Sequence, residues 1–240
     1  MNALIRRLRR PGCLVPALVL LSLLAARSYQ WARTALRAQR LWAFLQDPEG
    51  HASWKREARS RCPGAPFLWP TTGYPGFLRG DAWGLFHWHT GVDIFSGEDV
   101  GETPVYAVYP GELWRLPQWK ATVAIRHRDP IHPDRFIWTY YTHLADPQGR
   151  SLIVEAFPPG TKGVPVEAGT LLGYQGNYSG HPDRPVGVHL HISIVRDARG
   201  RPANETRPWN TLDPSLYFGF PLDAFRVSPW DVPHCLNPGE

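Results

Sequence analysis

Methionine and cysteine are scarce in this sequence, which has 1 methionine and 3 cysteines among 240 residues. No two cysteines have the C-x-x-C spacing of a thiolate metal site, so a zinc centre built on paired cysteines is excluded. Internal repeats and low-complexity tracts are also lacking, and a hydrophobic content of 43% excludes wholesale disorder. Proline (25) and glycine (22) are abundant instead, which indicates many turns and β-structure.

Basic residues are few in most of the chain, although the formal net charge is +5. Residues 1–62 carry 12 Lys or Arg against 3 Asp or Glu, a net charge of +9. Residues 63–240 carry 14 against 18, a net charge of −4. Because a nucleic-acid-binding domain needs a basic surface, we expect no nucleic-acid partner.

The N-terminal arginines precede an apolar stretch. Four arginines between positions 6 and 10 are followed by the uncharged run from Leu14 to Ala26. A basic run followed by apolar and then small residues is typical of a secretory signal. Residues 1–31 are therefore predicted to be either a signal peptide, cut before Tyr29, or a membrane anchor that uses residues 11–31. In both cases residues beyond about 30 would lie outside the cytoplasm, in the cell envelope.

Residues 32–61 have the pattern of a connecting helix. Apolar residues recur at helical spacing and arginines lie between them, until the turn residues 47–50 end the pattern. Such a helix could lie on an anionic membrane surface. We favour the other interpretation, in which it packs on its own domain. The apolar residues are Leu36, Leu41, Trp42, Phe44 and Leu45.

Two cysteines flank the remaining domain, residues 62–240. Cys62 lies at its beginning and Cys235 near its end, whereas Cys13 falls in the targeting segment. In an oxidising compartment such a pair often forms a disulfide, and the alternative is two free thiols.

Short alternating segments between Gly/Pro turns predict an all-β domain. Residues 121–127 and 136–144 predict one hairpin, and residues 104–109 and 112–116 predict another. Residues 170–175 and 189–195 add two further strands. The predicted fold is a mainly antiparallel, sandwich-like β domain, preceded by a hydrophobic helix and a short connecting helix.

Metal-ligating residue types are concentrated in three short segments. These are H-x-G-x-D at 89–93, the histidine His143 at the end of Y-Y-T-H-L, and H-x-H at 189–191. Strand periodicity puts His189 and His191 on one face, with Cα atoms about 6.5–7 Å apart. Two histidines, one carboxylate and an open fourth position form a catalytic zinc arrangement. Spacing alone leaves open which of His189 and His191 is the ligand.

The order of these motifs resembles the lysostaphin/LytM family of zinc peptidoglycan endopeptidases, which have a duplicated-hybrid-motif fold. Residues 89–111 are similar to the family's H-x-G-x-D-I…G-T-P-V-Y-A…G run, and residues 166–177 to its V-x-x-G-x-x-I-G-x-x-G segment. The resemblance covers about residues 65–220. It implies that His89, Asp93 and His191 bind Zn²⁺. It also implies that the two histidines that are not ligands, His143 and His189, act on the attacking water and the developing oxyanion.

The function that this resemblance implies is hydrolysis of peptide cross-links or stems of bacterial peptidoglycan by a zinc metalloendopeptidase. A non-catalytic cell-wall binding or regulatory module with the same fold is the alternative, because family members that lost ligands serve in that way. All five positions are retained here, which favours the enzyme. A third interpretation is a metallopeptidase that cleaves a protein.

Overall fold

The computed structural model describes residues 11–83 and 87–236. They form one long helix, eleven short strands, a four-residue helix and two 3₁₀ turns. The elements are α1 (Pro11–Gln46), a 3₁₀ turn (Ala52–Trp54), β1 (Tyr74–Phe77), β2 (Ala82–Trp83), β3 (His87–Trp88), β4 (Val92–Phe95), β5 (Pro104–Tyr106), β6 (Gly111–Trp114), β7 (Val123–Arg128), β8 (Phe136–Thr142), β9 (Val164–Val166), β10 (Leu171–Tyr174), β11 (Leu190–Arg196), a second 3₁₀ turn (Pro208–Asn210) and α2 (Ser215–Phe218).

A seven-stranded antiparallel sheet forms the centre of the fold. Its strand order is β1-β4-β11-β8-β7-β6-β9. The β4 and β11 strands pair with Asp93 opposite His191, and β11 and β8 pair with His191 opposite Thr142. Two segments separated by about a hundred positions in the sequence therefore lie side by side in the middle of the sheet.

A smaller sheet of β5 and β10 packs on one face of the large sheet. Val105 and Leu172 of the small sheet share a hydrophobic core with Ile125 and Ile192 of the large one, and all four are buried. The Tyr141 hydroxyl crosses between the layers and accepts a hydrogen bond from the Val108 N–H at 3.0 Å. The predicted antiparallel, sandwich-like β domain is confirmed.

Of the two predicted hairpins, one is confirmed and one is wrong. The β7 and β8 strands form an antiparallel hairpin, as the turn between them predicts. The segment at 104–109 does not pair with the segment at 112–116, because β5 pairs with β10 and β6 pairs with β7 and β9. Pro110 and Gly111 carry the chain from one sheet to the other, and turn residues alone do not distinguish a hairpin from such a crossing.

The N-terminal helix is continuous where the sequence predicts a hydrophobic segment followed by a separate connecting helix. The α1 helix runs from Pro11 to Gln46 and contains Pro16. It ends at the predicted turn, where the Asp47 carboxylate accepts a hydrogen bond from the Gly50 N–H at 2.8 Å. Within residues 11–83 and 87–236, no helix combines the length and apolar character needed to cross a membrane.

The second half of α1 packs on the β domain, which is the interpretation favoured from the sequence. Leu41 and Phe44 are buried against Tyr74 and Phe95. The Gln30 side chain donates a hydrogen bond to the Gly80 carbonyl at 3.0 Å. By contrast, large apolar side chains of the first half stay exposed to solvent. These are Val15, Leu18, Val19, Leu20, Leu21, Leu23 and Leu24.

A buried ion pair joins α1 to the loop between β1 and β2. The Arg37 guanidinium lies 3.1 Å from the Asp81 carboxylate, with side chains 2% and 0% exposed. The same carboxylate accepts hydrogen bonds from the Thr34 hydroxyl at 3.1 Å and the Leu78 N–H at 2.8 Å. Removing one partner of a buried pair leaves an uncompensated charge.

Arg37→Met is therefore expected to lower the free energy of unfolding by about 3–5 kcal/mol. Methionine keeps much of the buried volume, so the effect reports mainly the lost charge and hydrogen bond. Urea unfolding followed by tryptophan fluorescence measures it, with the exposed Arg184→Met as control. A loss for Arg37→Met within about 0.5 kcal/mol, the range of ordinary surface substitutions, would contradict the prediction.

Cys62 and Cys235 form a disulfide across a sequence separation of 173 residues. It ties the segment before β1 to the C-terminal tail, and the Arg56 guanidinium lies 3.1 Å and 2.8 Å from its two sulfur atoms. Of the two alternatives that the sequence leaves open, a disulfide or two free thiols, the structure therefore contains the disulfide.

We expect mass spectrometry of the exported protein to find Cys62 and Cys235 bonded to each other. The Cys62→Ser/Cys235→Ser protein should be about 2–5 kcal/mol less stable, because the bond restricts the unfolded chain. Lys162→Ser, an exposed substitution that leaves the pair intact, is the control. Two free thiols in freshly exported protein would refute the bond.

Candidate metal centre

Three predicted metal ligands come from two adjacent strands and the turn before one of them. Asp93 lies in β4 and His191 in β11, directly opposite each other in the antiparallel register. His89 follows β3 and precedes β4 by a short turn. Its backbone is fixed by two hydrogen bonds, from its N–H to the Asp81 carbonyl at 2.7 Å and from the Gly80 N–H to its own carbonyl at 2.9 Å.

Gly91, the middle residue of H-x-G-x-D, is required by the close approach of β11. A Cβ at this position would lie 2.3 Å from the Ile192 carbonyl oxygen and 2.8 Å from His191 Nε2. Real Cβ atoms do not approach backbone so closely, so any side chain would push His191 away from Asp93. The glycine of the motif therefore sets the separation of the two strands at the site.

The side chains of His89, Asp93 and His191 converge on one point. Asp93 Oδ1 lies 2.9 Å from His89 Nε2 and 2.7 Å from His191 Nδ1, and the two nitrogens are 3.0 Å apart. All three residues are buried. His89 Nδ1 donates a hydrogen bond to the Leu78 carbonyl at 3.0 Å, so Nε2 presents its lone pair to the same point.

The electrostatics of this cluster favour a carboxylate surrounded by imidazoles. Burial acts to raise the pKa of Asp93, but the neighbouring histidines hold this pKa well below its ordinary value. Burial acts to lower the pKa of His191, but hydrogen bonds with Asp93 and Glu205 raise it to about 10. A cation bound at this point would therefore displace a proton from His191.

The donor set fits zinc. Two imidazole nitrogens and one carboxylate oxygen are the protein ligands of catalytic zinc sites, and the fourth position is left for water or substrate. These three atoms form a group in which all lie within 4.8 Å of one another. His89 also has the hydrogen bond to a carbonyl that metal-binding histidines generally have at their second nitrogen.

His143 and His189 lie beside this cluster and face the same cleft. Their ring centres are 4.4 Å apart, and His189 Nε2 is 3.6 Å from Asp93 Oδ1. His143 Nδ1 donates to the Tyr178 carbonyl at 2.8 Å and His189 Nδ1 to the Gly187 carbonyl at 2.7 Å. Each ring therefore leaves Nε2 free to exchange a proton or accept a hydrogen bond.

Burial favours the neutral form of both of these histidines. Burial, followed by the nearby His189, lowers the pKa of His143 to about 3. Burial also lowers the pKa of His189. His143 has a backbone φ of 68°, a left-handed conformation that non-glycine residues rarely adopt outside constrained sites. The constraint places its side chain at the end of β8, towards the cluster.

The five histidine and aspartate side chains line a cleft of about 1000 Å³. One wall is formed by α1 through Ala38, Leu41, Trp42 and Leu45, so the helix predicted as a connector is part of the site. The other lining residues are Phe77, Trp83, His87, Thr90, Phe95, Thr142, Ser179, Val186, Gly187, Glu205 and Thr206.

Glu205 is a residue of the site that the sequence motifs do not predict. Its Oε1 atom accepts a hydrogen bond from His191 Nε2 at 2.9 Å and another from the Ser193 hydroxyl at 3.0 Å. Glu205 lies in the loop after β11, outside the three segments with metal-ligating residues, so no metal-ligand pattern in the sequence marks it. His127, by contrast, is a core histidine bonded to Pro110 and Thr139, away from the cleft.

Comparison with protein-family models finds no match, and comparison with curated proteins finds none. Among solved structures, the chain is similar to LytM of Ruminococcus gnavus (26% identity, TM-score 0.34), covering 53% of this chain and 45% of that one. It is also similar to the catalytic domain of the M23 protein EnpA of Enterococcus faecalis (23% identity, TM-score 0.36), and the match covers 62% of this chain and 96% of that one. A third similar structure is lysostaphin of Staphylococcus simulans (18% identity, TM-score 0.35), and the match covers 68% of this chain and 57% of that one.

The chain spans about half the length of the first of these structures and of lysostaphin. The TM-scores are all below 0.5, so the residues of the site, and not these similarities, support a function for this chain.

Proposed function

We propose that the protein is a zinc-dependent endopeptidase that hydrolyses peptide cross-links or stems of bacterial peptidoglycan. The observation that carries the proposal is the convergence of His89 Nε2, Asp93 Oδ1 and His191 Nδ1 beside two further histidines, His143 and His189, in one cleft. When bound, zinc supplies Lewis-acid chemistry that acidifies water and polarises a peptide carbonyl.

The chain's own residues supply proton transfer and positioning. His189 and His143 are held by their Nδ1–H bonds to backbone carbonyls, so Nε2 of each can take a proton from the attacking water. Once protonated, the same atom donates a hydrogen bond to the developing oxyanion or a proton to the leaving amine. Their ring centres are 4.4 Å apart in one cleft, so both rings can reach the same reacting group.

The lining of the cleft supports a peptide as the substrate, because it combines apolar side chains with the histidines and Asp93. The apolar lining includes side chains of α1 together with Phe77 and Trp83. The Cys62–Cys235 disulfide supports a location outside the cytoplasm, where such bonds persist and where cell wall is the peptide-rich polymer.

The test is zinc content together with hydrolysis of purified cell wall, measured as turbidity loss and as newly released amino termini. We expect activity with zinc and none in His191→Ala, whereas His132→Ala, an exposed histidine on the β7–β8 loop, should behave as the unmodified protein. A panel of defined muropeptides then identifies the bond cleaved. Binding to cell wall without release of amino termini would favour the non-catalytic module, and cleavage confined to proteins would exclude peptidoglycan.

A further inference from the structure

Glu205 is a partly buried carboxylate that pairs with a residue of the metal centre. Its side chain is 18% exposed, and it forms an ion pair with His191. Taking a carboxylate out of water is costly unless it is paired and hydrogen-bonded. Here the compensation comes from a residue of the metal centre and from the Ser193 hydroxyl, rather than from an arginine or lysine.

We infer that Glu205 is a positioning residue that orients His191 and fixes which ring nitrogen faces the metal. The inference rests on the proposed function, since it takes His191 as a zinc ligand. Nδ1 of His191 faces Asp93 and His89, and Nε2 on the other side of the ring faces Glu205. Because a carboxylate can only accept, Glu205 keeps a proton on Nε2 and leaves Nδ1 as the donor to a cation.

The two histidines of the centre have analogous partners with different chemistry. His89 is held at Nδ1 by a neutral backbone carbonyl, that of Leu78. His191 is held at Nε2 by a charged side chain from a loop. A carboxylate partner raises the basicity of the ring more than a carbonyl does, so His191 is the ligand whose donor strength depends on a replaceable residue.

Ser193 holds Glu205 in place from the strand itself. It lies two residues after His191 in β11, so strand periodicity puts both side chains on the same face. Its hydroxyl donates to the same oxygen, Oε1, that accepts from His191. The positioning role thus belongs to a chain of two hydrogen bonds, from Ser193 to Glu205 and from His191 to Glu205.

Glu205 does not serve as a fourth ligand in this arrangement. The group of atoms that converge within 4.8 Å consists of one each from His89, Asp93 and His191. The Glu205 carboxylate lies beyond the imidazole ring, at the nitrogen turned away from that point. The fourth position therefore stays open to the cleft.

Zinc affinity measured by chelator competition on the purified chain tests the inference. Loss of such a partner typically lowers metal affinity about 10–100-fold, which is the effect expected for Glu205→Ala. Glu205→Gln keeps an oxygen that can accept from Nε2, so it should restore much of the affinity. Ser193→Ala should fall between Glu205→Gln and Glu205→Ala. Glu155→Gln, an exposed glutamate, is the control and should match the unmodified protein.

A spectroscopic readout separates positioning from a general structural role. In zinc-loaded protein, ¹⁵N NMR of the histidine rings should show His191 with its proton on Nε2, slowly exchanging. In Glu205→Ala that proton should exchange rapidly while the fold, followed by circular dichroism, is retained. Unchanged affinity and an unchanged His191 signal in Glu205→Ala would overturn the inference alone. Failure of the unmodified protein to bind zinc would overturn the proposed function and the inference together.

Discussion

Asp93→Ala protein is expected to retain far less than one zinc per chain under conditions in which the unmodified protein binds one. Asp93 Oδ1 is the atom that both His89 Nε2 and His191 Nδ1 approach, at 2.9 Å and 2.7 Å. Removing it takes away the only charged ligand and leaves two neutral imidazoles, which cannot hold the metal against competing chelators. His89→Ala and His191→Ala should have the same effect for the same reason.

The measurement is elemental analysis after dialysis against a weak chelator. Asp134→Ala removes an exposed aspartate on the β7–β8 loop and serves as the matched control. Circular dichroism establishes that each variant is folded. Stoichiometric zinc in folded Asp93→Ala would show that the ligand set is wrong.

His189→Ala and His143→Ala are expected to keep zinc and lose turnover. Neither ring supplies an atom to the converging group of three, so metal content should stay close to that of the unmodified protein. Each ring offers an unprotonated Nε2 to the cleft, because Nδ1 donates to a backbone carbonyl. General acid–base catalysis of this kind contributes about 10²–10⁴-fold to the rate, which is the expected decrease in kcat/KM.

Zinc content and muropeptide hydrolysis are measured on the same preparations, with His132→Ala as the control. If the two variants lose zinc as completely as His191→Ala, these histidines are ligands and the assignment of roles is wrong. If they keep both zinc and full activity, the proposed mechanism fails and the non-catalytic module gains support.

The sequence predicts the local parts of the site well and the long-range parts poorly. The H-x-G-x-D and H-x-H motifs contain the side chains that converge at the site, and Gly91 is required by the close approach of β11. The pairing of β4 with β11 cannot be derived from spacing, because it joins segments about a hundred residues apart. Only the family resemblance assigned His191 rather than His189 to the metal.

The hydrogen-bond partners of the proposed metal ligands lie in loops or on the backbone, and no sequence pattern predicts them. Glu205 follows β11 in an irregular loop, and the Leu78 carbonyl that holds His89 belongs to no motif. The predicted β5–β6 hairpin is wrong for a related reason, since packing between the two sheets selects β10 as the partner of β5. Such choices depend on tertiary contacts that compete with local turn preference.

Because the second half of α1 packs on the β domain and lines the cleft, a protein with a complete cleft must include this part of the helix. A recombinant protein that starts at Cys62, the predicted domain boundary, would lack the cleft wall around Trp42 and leave the Asp81 carboxylate buried without Arg37. Asp81 also accepts the backbone hydrogen bond of His89, so the loss would reach the metal centre. A protein that starts at Tyr29 keeps these contacts. Tyr29 is also the residue before which the sequence predicts signal-peptide cleavage, so a protein that starts there suits tests of the proposed activity.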